Sequence, residues 1–169
     1  MKHYKLLTKF FFLTFFGLFS SIVNSAENNS AFIVYSGMFD FSDAGAKSTL
    51  VGFQHQNEDL NKDIFLGNIS PITGGFITGD MASYVYTGVV AQYQLGIINF
   101  SPSFAPGLYY KGDGKDLHSV IEFKTELQWS LPLTNDGEVG FSYNHISNAG
   151  IGKSNPGANS YMFNFLKKF

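Results

Sequence analysis

Cysteine is absent from the 169 residues, which excludes a disulfide framework, a thiolate metal site and a thiol nucleophile. Arginine is absent too: all 11 basic residues are Lys, set against 13 Asp and Glu, for a formal charge of −2. That balance argues against nucleic acid as a partner. Beyond the start of the chain, no apolar run approaches the ~20 residues that a membrane-crossing helix needs. Aromatics and glycine are plentiful instead, with 19 Phe, 9 Tyr and 18 Gly. An aromatic-rich, Gly-rich, Cys-free chain suits a membrane β-barrel and equally a soluble β-sandwich. The pattern along the chain has to arbitrate.

The opening residues point to export. Lys2, Lys5 and Lys9 are followed by the apolar run FFFLTFFGLFSSIV and then by the small residues Ser25 and Ala26. Basic start, apolar centre and small-residue site in that order are the signature of a secretory signal peptide. Residues 1–26 are therefore expected to be removed, with cleavage after Ala26 or Ser25, leaving residues 27–169 as one domain of about 143 residues. Removal takes three of the 11 Lys and none of the 13 acidic residues, so the mature chain carries 8 Lys against 13 acids, a formal −5.

Turn-forming strings such as SDAGA, NEDLN, KGDGKD, LTNDG and GKSNPG cut the remainder into eight segments, at about 31–41, 47–57, 62–72, 83–95, 98–110, 117–131, 136–147 and 158–169. Each has roughly the 10 residues that a tilted strand needs to cross a bilayer. Even strand number and short connections predict an all-β fold, an eight-stranded antiparallel up-and-down transmembrane barrel. Segments three to five are the hardest to bound, because SPITGGFITGD and SPSFAPG contain Pro and Gly.

The sixth segment alternates: Ile121, Phe123, Thr125, Leu127 and Trp129 share one face, and Val120, Glu122, Lys124, Glu126 and Gln128 the other. In water this is a core face and a solvated face; in a membrane barrel it is turned inside out, with charge in the lumen. The final segment favours the barrel. Tyr161, Phe163, Phe165 and Phe169 share a face, as in the assembly signal of outer-membrane barrels, although Lys167 interrupts the alternation. Closure also removes the open sheet edge that lipid cannot satisfy.

On the seventh segment, EVGFSYNHISNAG, alternation sets Val139, Phe141, Tyr143, His145 and Ser147 on the lipid face and Gly140, Ser142, Asn144 and Ile146 in the lumen. An ionisable side chain facing lipid calls for an explanation. Two residues apart on one strand face, an imidazole can reach a hydroxyl, and a Ser becomes nucleophilic when a neutral His accepts its proton. Spacing alone leaves open a second reading, in which His and Ser merely hydrogen-bond headgroups at the membrane interface.

The string HISNAGIGKSNPGAN, from His145 to Asn159, resembles the lipid A 3-O-deacylase (PagL-type) family. Similar stretches lie earlier, in GNISPITGG, YVYTG, SPSFAPGLYYKGDGKDL and IEFKTELQW, so the resemblance covers most of the mature chain. It implies a barrel in the outer membrane of a Gram-negative bacterium, with lipid A (lipopolysaccharide) as substrate and no cofactor or metal. The reaction implied is hydrolysis of the 3-O-linked acyl ester, with His145 as base and Ser147 as nucleophile of the H-x-S-N motif. By the same resemblance, Asn148 and Gly150 are candidates for oxyanion stabilisation, with Asn155 supporting the loop. For both Asn residues ordinary turn chemistry is the competing account.

The chain departs from that pattern at the third member of a triad. The family pattern has a Glu in the position where this chain has Asn159, and no acid occurs from Asn148 to Phe169. Asn159 shares parity with Tyr161 and Phe163, so it should face outward beside His145, where an amide oxygen can orient the imidazole without supplying charge. Other polar residues are expected to have structural roles: His55 and His118 at an interface or in the lumen, and Glu122 and Glu126 with Lys124 as solvated interior packing. The alternatives to the deacylase are a non-enzymatic structural or adhesive barrel, an inactive relative, and an acyltransferase or phospholipase of the same membrane. A homodimer is among the states open to the chain.

Overall fold

The computed structural model describes residues 30–65 and 67–169; the expected signal peptide lies outside them. Among the described residues there are nine strands: β1 (Ser30–Phe39), β2 (Ser48–Asn57), β3 (Lys62–Ile64), β4 (Gly67–Thr78), β5 (Ser83–Leu95), β6 (Ile98–Tyr110), β7 (Ile121–Pro132), β8 (Gly137–Ser147) and β9 (Ala158–Lys168). All pairings are antiparallel. Consecutive long strands pair with each other, β2 passes over the short β3 to pair with β4, and β1 pairs with both β2 and β9. The eight long strands thus close into an up-and-down barrel with no open edge, as expected from the sequence.

Two boundaries differ from the sequence reading. The third strand was expected at 62–72 and runs instead over Gly67–Thr78. Residues Lys62–Ile64 fold back as β3 onto its first residues, with Ile64 opposite Gly67. Gly67 turns the chain there at φ 104°, a backbone region open to glycine. Pro71 does not end β4, because the ladder to β2 stops at Ile72 and spares the missing N–H. β6 uses the same device. Its ladder to β7 runs through Pro102 and Pro106, while its pairing with β5 lapses opposite both.

The sixth expected segment begins later than predicted. β7 starts at Ile121, because residues 111–120 form a loop in which Asp116 accepts the His118 N–H and Leu117 is buried. Val120 was expected to face the lumen; lying outside the strand, it is 65% exposed.

Along β7 the inside-out pattern is clear. Ile121, Leu127, Trp129 and Leu131 are exposed on the outer wall, whereas Glu122, Lys124, Glu126, Gln128 and Ser130 are buried inside. The lumen is a packed polar core. Lys124 Nζ pairs with Glu126 Oε2 at 3.0 Å and lies 3.9 Å from the centre of the Tyr86 ring. Tyr86 donates to Gln54 Oε1 at 3.0 Å, and Tyr35 donates to the Gly75 carbonyl at 3.0 Å. Gly74 makes room for this network, since a Cβ there would stand 2.7 Å from the Tyr86 hydroxyl. Outside, Tyr93 stacks on Phe100, which meets Trp129 in a tilted contact, a row of aromatics on the lipid face suited to an interface.

Candidate active site

β1 begins and β9 finishes at one end of the barrel; β8 reaches the opposite end at Ser147. There it pairs with β7 and β9, so that His145 stands between Thr125 and Asn159. Alternation turns His145, Ser147, Tyr143 and Asn159 to the outer wall, each half-buried, while Asn144, Ile146 and Ser160 are buried inside. Every outward placement made from the sequence for this strand is met.

Asn159 and His145 are in direct contact. His145 Nδ1 and Asn159 Oδ1 are 2.8 Å apart, and the Tyr143 hydroxyl donates to the same oxygen at 2.7 Å. An amide oxygen only accepts, so the imidazole carries its proton on Nδ1 and leaves the Nε2 lone pair as its base. Asn159 Nδ2 donates to Ser42 Oγ at 3.1 Å, which fixes the amide's orientation. Gly157 shapes the other side of the ring. Its φ is 60°, and a Cβ there would lie 2.8 Å from His145 Cε1.

Ser147 shares the face, but among the described residues it makes no hydrogen bond to the imidazole, whose side-chain partner is Asn159.

The sequence-predicted oxyanion residues build the loop that follows Ser147. Asn148 is 0% exposed, and its Nδ2 donates to the carbonyls of Leu117 at 3.0 Å and Ser154 at 2.8 Å. Its Oδ1 accepts the Gly150 N–H at 2.9 Å, and Asn155 Oδ1 accepts the Asn148 N–H at 3.0 Å. The Asn148 amide and the backbone N–H groups of Asn148 and Gly150 are thus occupied in holding the turn, with Ala149 at φ 53° and Gly150 at φ 80°.

The remaining His residues lie elsewhere. His55 packs against Phe32, with ring centres 4.8 Å apart, on the outer wall towards the end that carries Ser30. His118 is exposed, and its Nδ1 meets Ser154 Oγ; Asp116 takes its backbone N–H rather than its ring, so nothing orients that pair as a triad. Glu122 and Glu126 do not form a dyad, because Glu126 is engaged by Lys124. Among the described residues no three His, Asp or Glu side chains cluster as metal ligands.

Sequence reasoning missed Gly157 beside the imidazole, and Tyr143 and Ser42 on the Asn159 amide. The NPG string was visible as a turn, but the position of its Gly against His145 depends on the hairpin's register.

A closed barrel with polar lumen and apolar wall defines an outer-membrane-type protein. Residues 34–168 match the family described as lipid A 3-O-deacylase (PagL), and the chain belongs to that family. Among solved structures, the outer membrane enzyme PagL matches with a TM-score of 0.62 and 17% identity, over 82% of this chain and 99% of that one. Neisserial surface protein A matches with a TM-score of 0.60 and 8% identity, over 83% and 97%. The Yersinia pestis outer membrane protein Ail matches with a TM-score of 0.52 and 9% identity, over 85% and 100%. At these identities the structural likeness speaks for the fold alone. No curated protein matches the chain. The homodimer that the sequence left open finds no support in these matches.

Proposed function

We propose that this protein is an esterase of the outer membrane that hydrolyses the 3-O-linked acyl chain of lipid A, with Ser147 as nucleophile, His145 as base and Asn159 as the residue that orients the base. In this reading the signal peptide is removed and the barrel sits in a Gram-negative outer membrane with the His145 end in the leaflet that holds lipopolysaccharide. The observation that carries the reading is the Asn159-oriented imidazole on the lipid face, two residues from Ser147, in a chain of the deacylase family.

The chemistry follows from that placement. His145 Nε2 takes the Ser147 proton as Oγ attacks the ester carbonyl, and the imidazolium then protonates the departing 3-oxygen of the sugar. Water, activated by the same nitrogen, hydrolyses the acyl-enzyme and releases a 3-hydroxy fatty acid. The loop held by Asn148, Gly150 and Asn155 adjoins Ser147, where a donor released from the turn would stabilise the charge that develops on the carbonyl oxygen. The apolar wall around the site accommodates the acyl chains.

One observation favours a second reading, a catalytically silent member of the family: an amide rather than a carboxylate adjoins His145. Mass spectrometry of lipid A from a Gram-negative host separates the two. Wild-type chain should remove one 3-hydroxyacyl mass and Ser147→Ala none. Unchanged lipid A with folded wild-type barrel in the membrane would refute the deacylase.

A further inference from the structure

The acid that is missing beside His145 is supplied from the other end of the barrel sequence. We propose that Asp40 is a positioning residue for the His145 base, acting on it through Ser42 and Asn159; this rests on the deacylase reading above.

Asp40 follows β1 directly and is 1% exposed, with φ 47°. A buried carboxylate held in that backbone conformation calls for partners. Its Oδ1 accepts from Ser42 Oγ at 3.4 Å and from the Asn159 backbone N–H at 3.3 Å. Ser42 Oγ in turn accepts from Asn159 Nδ2 at 3.1 Å, and Asn159 Oδ1 receives the imidazole at 2.8 Å. The donors run in one direction, imidazole to amide, amide to hydroxyl, hydroxyl to carboxylate. Hydrogen bonds linked in this way polarise one another, so negative charge at the far end strengthens the bond at the near end. The Phe41 N–H donates to the Asn159 carbonyl at 3.0 Å, which clamps the same residue from its backbone.

Lys115 approaches the carboxylate, at 2.5 Å from Asp40 Oδ2 and 3.5 Å from Asp43 Oδ2. Two carboxylates against one ammonium leave the cluster formally negative. Imidazolium formation at His145 is therefore met by a negative group through two intervening side chains. Direct contact, as a Glu at 159 would provide, is replaced by a relay.

The test uses the full barrel in detergent micelles and two readouts. Ring 15N NMR should show His145 protonated on Nδ1, and both Asp40→Asn and Ser42→Ala should move that resonance. With lipopolysaccharide as substrate, Asp40→Asn should lower kcat by about tenfold, the scale on which groups behind a functional imidazole act, at unchanged KM. In an Asn159→Glu background the same substitution should lose its effect, because the carboxylate then meets the ring directly. Lys115→Gln removes the ion pair and keeps the carboxylate, so its loss of kcat should be smaller. An equal loss would mean that the pair merely holds the loop, and would overturn the proposal. Should Asp40→Asn not fold, Ser42→Ala cuts the relay at an exposed side chain and decides the matter by the same readouts. An unmoved Nδ1 resonance overturns the relay whether or not lipid A is cleaved. A moved resonance in a barrel that releases no 3-hydroxy acid leaves the relay standing and removes the deacylase reading.

Discussion

Asn159 faces His145 across the β8–β9 ladder, and its amide oxygen holds the imidazole Nδ1 at 2.8 Å. An amide in that place fixes the tautomer of a base but contributes no charge to the imidazolium that forms when the base accepts a proton.

Asn159→Glu should therefore raise kcat for lipid A deacylation by roughly tenfold, and Asn159→Leu should lower it by about the same factor or more. Steady-state release of 3-hydroxy fatty acid from purified lipopolysaccharide measures both. An Asn159→Glu variant no faster than the parent would refute the orienting role.

Gly157→Ala tests the packing on the other side of the ring. Its methyl group would stand 2.8 Å from His145 Cε1, on a backbone at φ 60° that costs an L-residue about 1–2 kcal/mol. The barrel should unfold at lower urea concentration by that margin. Its kcat should fall further than the stability loss explains, since the ring must move. Activity measured under conditions where the variant is fully folded separates the two effects.

The lumen offers a control that leaves the site untouched. Lys124→Ala strands Glu126 without its cation in a buried interior, a change that costs about 3–5 kcal/mol. The double variant Lys124→Met, Glu126→Gln removes both charges and should recover most of that loss. Urea unfolding in micelles, followed by tryptophan fluorescence, gives the order of the three proteins. Equal stability of the single variant and the parent would mean that water reaches Glu126.

Much of this architecture is written in period-two alternation. Residues on β7, β8 and β9 can be assigned to wall or lumen by parity, and that assignment sets His145, Ser147 and Asn159 on the outer face. Alternation says nothing about a fold-back, so β3 and the true start of β4 were hidden behind Gly67. Nor does it reveal on which side of a strand a proline's missing N–H falls, so the sequence reading sets Pro71 near a strand's end although β4 runs through it, whereas the segment with Pro102 and Pro106 is found at the bounds read for it. The loop after Ser147 was legible as a turn, but not that Asn148 would be wholly buried in it. Asp40 and Ser42 were out of reach for a different reason. They lie 119 and 117 residues from Asn159, and only closure of the barrel brings them together.

That closure has a consequence for when the molecule becomes competent. β1 and β9 meet at the seam, and the imidazole's supporting groups are divided across it, Asp40 and Ser42 on one side and Asn159 on the other. A chain whose seam has not zipped holds His145 and Ser147 in place on β8, yet lacks half of the support behind the base. Under the proposed function, assembly itself becomes the activating step, and an unfinished barrel would be a poor esterase.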